Sequence, residues 1–95
     1  MSALEIEQVL LAHPDVREAA VVGVPDETRG QVPKAYLVSE RDDAAFAREV
    51  QEWVKTRLSR HEFPRQVEFV GALPRTPAGK IDRKAVRELA RRSRE

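Results

Sequence analysis

Residues 16–38 read VREAAVVGVPDETRGQVPKAYLV, and the fold turns on how this stretch divides. Val16 to Val24 is crowded with β-branched side chains and predicts a strand. Pro25-Asp26-Glu27-Thr28-Arg29-Gly30 is turn chemistry. Pro33 to Val38 predicts a second strand, with Pro33 at its first position, where a missing N–H is tolerated. A connection of six residues makes the two strands an antiparallel pair.

Helices are expected on both sides of this hairpin. Ser2-Ala3-Leu4-Glu5 fits a capping box, with Ser2 as N-cap and Glu5 at N3. Ile6, Val9 and Leu10 follow at helical spacing, and His13-Pro14 closes a helix of about 3–12. Further on, Asp42 or Asp43 can cap a helix of about 43–59. Its apolar face is Phe46, Val50, Trp53, Val54 and Leu58, with Arg48, Glu49, Glu52 and Lys55 on the other side. Trp53 reads as core rather than as a stacking platform. Pro64 blocks continuation, and Gln66 to Val70 alternates as a short third strand. Gly71 to Lys80 is a loop. Asp82 can cap a last helix of about 83–92 with Val86, Leu89 and Ala90 as its stripe, and residues 91–95 are expected to fray. The order is α-β-β-α-β-α: an α+β domain, a small three-stranded sheet with helices packed on its faces.

Composition narrows the function classes. Ninety-five residues make one domain that buries only about 60–65% of its unfolded surface, a thin core without a deep substrate cavity. No apolar run approaches the roughly 18 residues of a membrane span, and MSALEIEQ lacks the basic and apolar regions of a signal peptide. The chain has no cysteine, which excludes disulfides, thiolate zinc sites and a cysteine nucleophile; a cytoplasmic location is the default expectation. Residues 1–53 hold 5 basic and 11 acidic side chains, and residues 54–95 hold 12 and 5. The basic half suits an anionic partner (nucleotide, phosphate, nucleic acid or an acidic protein surface) or is simply a solvated basic helix. It lacks interleaved aromatics, which argues against a nucleic-acid-binding module. His13 and His61 have no metal-ligand spacing and read as capping or surface residues.

Residues 73–84, LPRTPAGKIDRK, carry the candidate chemistry. Pro74 and Pro77 fix φ on the way to Lys80. Gly79 can adopt a conformation closed to other residues. The helix after the loop begins with N–H groups that favour anions. A lysine held there can stabilise phosphate or carboxylate charge; an ordinary surface turn with a solvated lysine explains the same residues. A P-loop is excluded, because position 74 is proline where glycine is required and position 81 is isoleucine where Ser or Thr is required.

LPRTPAGKIDRK resembles the last signature motif of the adenylate-forming superfamily: AMP-forming acyl-CoA synthetases, peptide-synthetase adenylation domains and luciferases. LEIEQVLLAHPDVREAAVVGVPDETRGQVPKAYLV is similar to the start of that superfamily's C-terminal domain, so the resemblance spans almost the whole chain. HEFPRQVEFVGALPRTPAGK is most like the acyl-CoA synthetases, and GKIDRKAV has some flavour of the peptide-synthetase branch. The resemblance implies that residues 1–95 are the mobile C-terminal lid of a longer enzyme and do not turn over alone. Its catalytic residue would be Lys80, carried on the scaffold Pro74, Arg75, Thr76, Pro77, Ala78 and Gly79. ATP and coenzyme A would be substrates together with a small carboxylic acid, and Mg2+ would be held by the N-terminal adenylation domain, with none of them bound by this domain alone. Lys55 is a candidate contact for the 3′-phosphate of coenzyme A, against the alternative of a solvated helix lysine. The resemblance also implies acetylation of Lys80 by a lysine acetyltransferase, with Arg75, Arg83, Lys84 and Arg87 available to dock it.

Overall fold

The structure, a computed structural model, describes residues 2–58 and 62–92. His61 and residues 93–95 lie outside the described residues. Helix α1 spans Ala3–Leu11, strands β1 and β2 span Glu18–Asp26 and Gly30–Val38, α2 spans Ala44–Arg57, β3 spans Gln66–Phe69 and α3 spans Arg83–Arg92. The order and the three-stranded sheet are those expected from sequence. The sheet runs β1-β2-β3, with β1 antiparallel and β3 parallel to β2.

Both faces of the β1–β2 hairpin are buried, which is why its sequence is a continuous apolar run instead of an alternation. Ala19, Val21, Ala35 and Leu37 face one way, onto Ile6 and Leu10 of α1 and Phe46, Val50 and Val54 of α2. Ala20, Val22, Val24, Val32 and Tyr36 face the other way, onto Leu73, Val86 and Ala90. Helices α2 and α3 therefore lie on opposite faces of the sheet.

Several local expectations change. Pro25 and Asp26 continue β1 and Gly30 begins β2, so only Glu27–Arg29 connect the strands. The Asp26 carboxylate accepts from the N–H groups of Thr28 and Arg29, and Gly30 takes φ 81°, a conformation that costs glycine little. Pro33 is not first in its strand; it pairs with Gly23 in mid-β2. Its carbonyl accepts from Arg65 N–H at 2.9 Å. A residue's N and O project to the same edge of a strand, so the nitrogen of Pro33 faces beyond the start of β3 and no ladder bond is lost. Leu89 is 37% exposed, leaving Val86 and Ala90 as the buried stripe of α3.

His13 is buried rather than superficial. Its Nδ1 accepts the Asp15 N–H at 3.0 Å, so Nε2 carries the proton and donates to Glu49 at 2.7 Å. The ring meets Phe46 and Trp53 edge-on. Trp53 is only partly buried, and its indole N–H donates to the Val9 carbonyl at 2.7 Å, tying α2 to α1. Arg41, and then His13, hold the Glu49 carboxyl below its ordinary range.

Strand β1 is an edge strand, and α1 covers that edge. Glu7, 5% exposed, accepts the Val21 N–H at 2.7 Å and takes both terminal nitrogens of Arg83 in a bidentate ion pair. One carboxylate thus ties α1 to β1 and to α3. Glu7→Ala leaves a buried N–H without an acceptor and is expected to cost about 2–3 kcal/mol, read as a lower urea midpoint with an unchanged m-value. Glu49 gives a pH signature. Its depressed folded pKa stabilises the protein above the unfolded value, and that contribution disappears as pH falls through the folded value. The gap in urea midpoint between wild type and Glu49→Gln is therefore expected to be full at neutral pH and to close below about pH 4.

Candidate functional site

The segment 73–82 is a tight β-hairpin. Leu73 is buried against the α3 face of the sheet and Ile81 packs beside it. Arg75 and Ile81 form an antiparallel bridge. Thr76 N–H donates to the Lys80 carbonyl and Gly79 N–H to the Thr76 carbonyl, both at 2.8 Å. Pro77, Ala78 and Gly79 form the tip, with Gly79 at φ 85°. This is a three-residue loop in which a type I turn is followed by a left-handed residue. Each scaffold residue has a part: Pro77 presets the first corner, Ala78 takes the second, Gly79 reverses the chain, and Thr76 Oγ1 accepts the Lys80 N–H at 3.4 Å. The Pro74 carbonyl accepts the Asp82 N–H at 2.9 Å and closes the base.

Asp82 also ends the hairpin's role as an open anion site. Its carboxylate accepts the Ala85 N–H at 3.1 Å, so the start of α3 is capped from within the chain. Of the charges near this loop, two are already committed. Arg75 is ion-paired to Glu18 and donates to the Gly79 carbonyl at 2.8 Å. Arg83 is held by Glu7, whose hydrogen bonds outweigh the cost of desolvation and raise the guanidinium pKa. Lys80 is exposed, and among the described residues no carboxylate pairs with its ammonium group. The arrangement can do one chemical thing well: carry an unneutralised point charge on a stiff mount.

Lys55 does not join this site. It lies on α2, across the sheet from the hairpin, and is half-buried rather than open. Its Nζ is 3.2 Å from Glu52 and 4.3 Å from the centre of the Phe63 ring. Among the described residues no group of three or more His, Asp or Glu side chains is placed to hold a metal ion, and no helix is long and apolar enough to cross a membrane. An open groove of about 360 Å³ lies between α1, β1 and α3, lined by Leu4, Val22, Gly23 and Arg87 among others; Lys80 is not part of it. Glu18 has no counterpart in the sequence reading. It lies 57 positions from Arg75, and no local pattern links the two.

The structure thus joins a three-stranded sheet with helices on both faces to a glycine-tipped hairpin that exposes one lysine. The family model for the AMP-binding enzyme C-terminal domain matches residues 5–80, and the chain belongs to that family. It is 48% identical over 87 residues to 4-hydroxybutyrate–CoA ligase 1 of Metallosphaera sedula, covering 88% of this chain and 15% of the relative. It is 44% identical over 89 residues to human mitochondrial acyl-coenzyme A synthetase ACSM1, again 88% of this chain and 15% of the relative. The crystal structure of a Brucella canis acyl-CoA synthetase superposes with a TM-score of 0.93 at 40% identity, covering 100% of this chain and 18% of that one. The chain thus spans less than a fifth of the length of these proteins.

Gly79 provides a test of the mount. A Cβ there would meet nothing within 4 Å, yet φ is positive, whereas Gly71 is equally open without that constraint. Gly79→Ala is expected to destabilise by about 1–2 kcal/mol from backbone strain alone, and Gly71→Ala to lie within about 0.5 kcal/mol of wild type. Thermal unfolding of the two variants side by side measures the difference.

Proposed function

We propose that this domain is the C-terminal lid of an AMP-forming acyl-CoA synthetase and that Lys80 is its catalytic residue. The observation that carries the reading is the exposed Lys80 ammonium, without a carboxylate partner among the described residues, beside two arginines that are both tied down. In the first step a carboxylate oxygen attacks the α-phosphorus of ATP. A P–O bond forms, the bond to pyrophosphate breaks, and acyl-AMP results. Lys80 brings positive charge to the oxygens on which negative charge accumulates, in a setting from which the closed lid excludes water. In the second step the sulfur of coenzyme A attacks the acyl carbon, AMP leaves, and the thiol proton passes to solvent. Lys80 has no part there, and the lid turns to present another face.

The placement of Lys55 on the face opposite the hairpin supports such a two-sided lid, with Lys55 near the phosphates of coenzyme A in the second orientation. ATP, coenzyme A and the acid are bound mainly by the N-terminal domain, which also holds the magnesium ion. Acetylation of Lys80 would remove the exposed positive charge at the end of the hairpin and silence adenylation. Of the basic residues expected to dock an acetyltransferase, Lys84 and Arg87 are exposed, while Arg75 and Arg83 are engaged internally.

Separating the half-reactions tests the proposal. In the full-length enzyme, Lys80→Ala is expected to slow acid-dependent ATP–pyrophosphate exchange by about 100-fold or more. Thioester formation from supplied acyl-adenylate should stay within about threefold of wild type. Equal loss of both steps contradicts the assignment.

A further inference from the structure

Glu18 is the first residue of β1 and pairs with Val38 in the ladder, so its backbone belongs to the rigid sheet. Its carboxylate is ion-paired to Nη2 of Arg75. The second terminal nitrogen of the same guanidinium, Nη1, donates at 2.8 Å to the carbonyl of Gly79. That carbonyl is half of the peptide bond leading into Lys80. One planar fork therefore links the start of the sheet to the peptide that carries the catalytic ammonium.

We infer that Glu18 is a positioning residue for Lys80, acting through Arg75 and the Gly79 carbonyl. The inference rests on the lid reading above. Stability is a poor explanation for the link. The side chains are 32% and 44% exposed, and ion pairs at that exposure contribute little. The hairpin also closes without it, through the backbone bonds at Thr76, Gly79 and Asp82. Those bonds define the shape of the hairpin and leave its tilt against the sheet to Leu73 and Ile81 at the base. The tip lies beyond these apolar contacts. A polar strut from β1 to the Gly79 carbonyl fixes the tip where the core no longer reaches. Arginine suits the task, because its fixed fork serves two acceptors at once with little entropy lost per bond. Loss of Glu18 would leave a folded hairpin with a mobile lysine, which is a defect of positioning.

The test uses the full-length enzyme and compares Glu18→Gln, Arg75→Gln, Arg75→Lys, the Glu18→Gln/Arg75→Gln pair and Lys80→Ala. Adenylation is followed as pyrophosphate exchange with butyrate, 4-hydroxybutyrate and benzoate, keeping the acid with the highest wild-type rate. Thioester formation is followed from the matching synthetic acyl-adenylate. Glu18→Gln is expected to lower kcat for adenylation on the order of tenfold. KM for ATP and the thioester step should stay within about twofold. Arg75→Gln should match it, Arg75→Lys should recover part of the loss, and the double variant should be no worse than Arg75→Gln, since both changes break one strut. Should Glu18→Gln fail to fold, Arg75→Gln cuts the same link from the exposed side. Adenylation within about twofold of wild type in Arg75→Gln and Glu18→Gln, with Lys80→Ala still inactive, overturns the positioning role and leaves the lid reading standing. Equal loss in both half-reactions, or losses that multiply in the double variant, also overturns it. Adenylation preserved in Lys80→Ala, or absent from the wild type with all three acids, overturns the lid reading and this inference together.

Discussion

Strand β1 is packed on both faces and paired along one edge, and the rest of the domain is arranged by that fact. One face lies on α1 and α2, the other on α3, and the inner edge pairs with β2. The outer edge is the exposed liability of any open sheet. Here Glu7 occupies the Val21 N–H. The N–H groups of alternate residues share an edge, so Pro25 falls on the same edge as Val21 and brings no donor. Sealing β1 this way draws α1 and α3 together through the Glu7–Arg83 pair. It also sets where α3 begins, and with it the root of the hairpin that carries Lys80.

The sequence made the elements legible because each is announced locally. Ser2, Asp43 and Asp82 all accept N–H bonds from the residue three positions on, and apolar spacing identified the buried faces of α1 and α2. Lys80 and its scaffold were also legible, since prolines and a glycine are local statements about backbone angles. What escaped notice is what depends on distance along the chain. No local pattern marks Glu7, which is buried by partners 14 and 76 positions away. Glu18 has its partner 57 positions away and no local signal of it. Pro33 was placed at a strand end by propensity, whereas the short β3 leaves room for it in the middle of β2. Leu89 fits the helical stripe of α3, but it is 37% exposed, and the stripe that meets the sheet is Val86 and Ala90 alone.

The two faces of the sheet do different work. The α2 face holds the larger aromatic residues and the His13–Glu49–Arg41 network, which bind helix to helix. The α3 face is built of aliphatic side chains around the buried Tyr36, with Leu73 and Ile81 supplying the last apolar contacts before the hairpin leaves the surface. A functional group mounted at the margin of a small core gains freedom to reach a partner domain and loses the steadiness that burial gives. Steadiness at the tip must then come from directional bonds.

The chemistry of the three cations around the hairpin fits that division. Arg75 and Arg83 each contact two acceptor atoms, a task that a planar fork performs and a point charge does not. Lys80 contacts none among the described residues, and on the proposed lid reading its flexible stem would let a compact charge follow a reacting phosphate through its change of geometry. Exchanging the types would defeat both purposes. A lysine at 83 would give up the bidentate hold on Glu7 and loosen its tie to β1, and an arginine at 80 would offer a rigid plane where the proposed lid role calls for a mobile point. On the lid reading, the placement of each cation type follows whether its target is part of the fold or lies outside it.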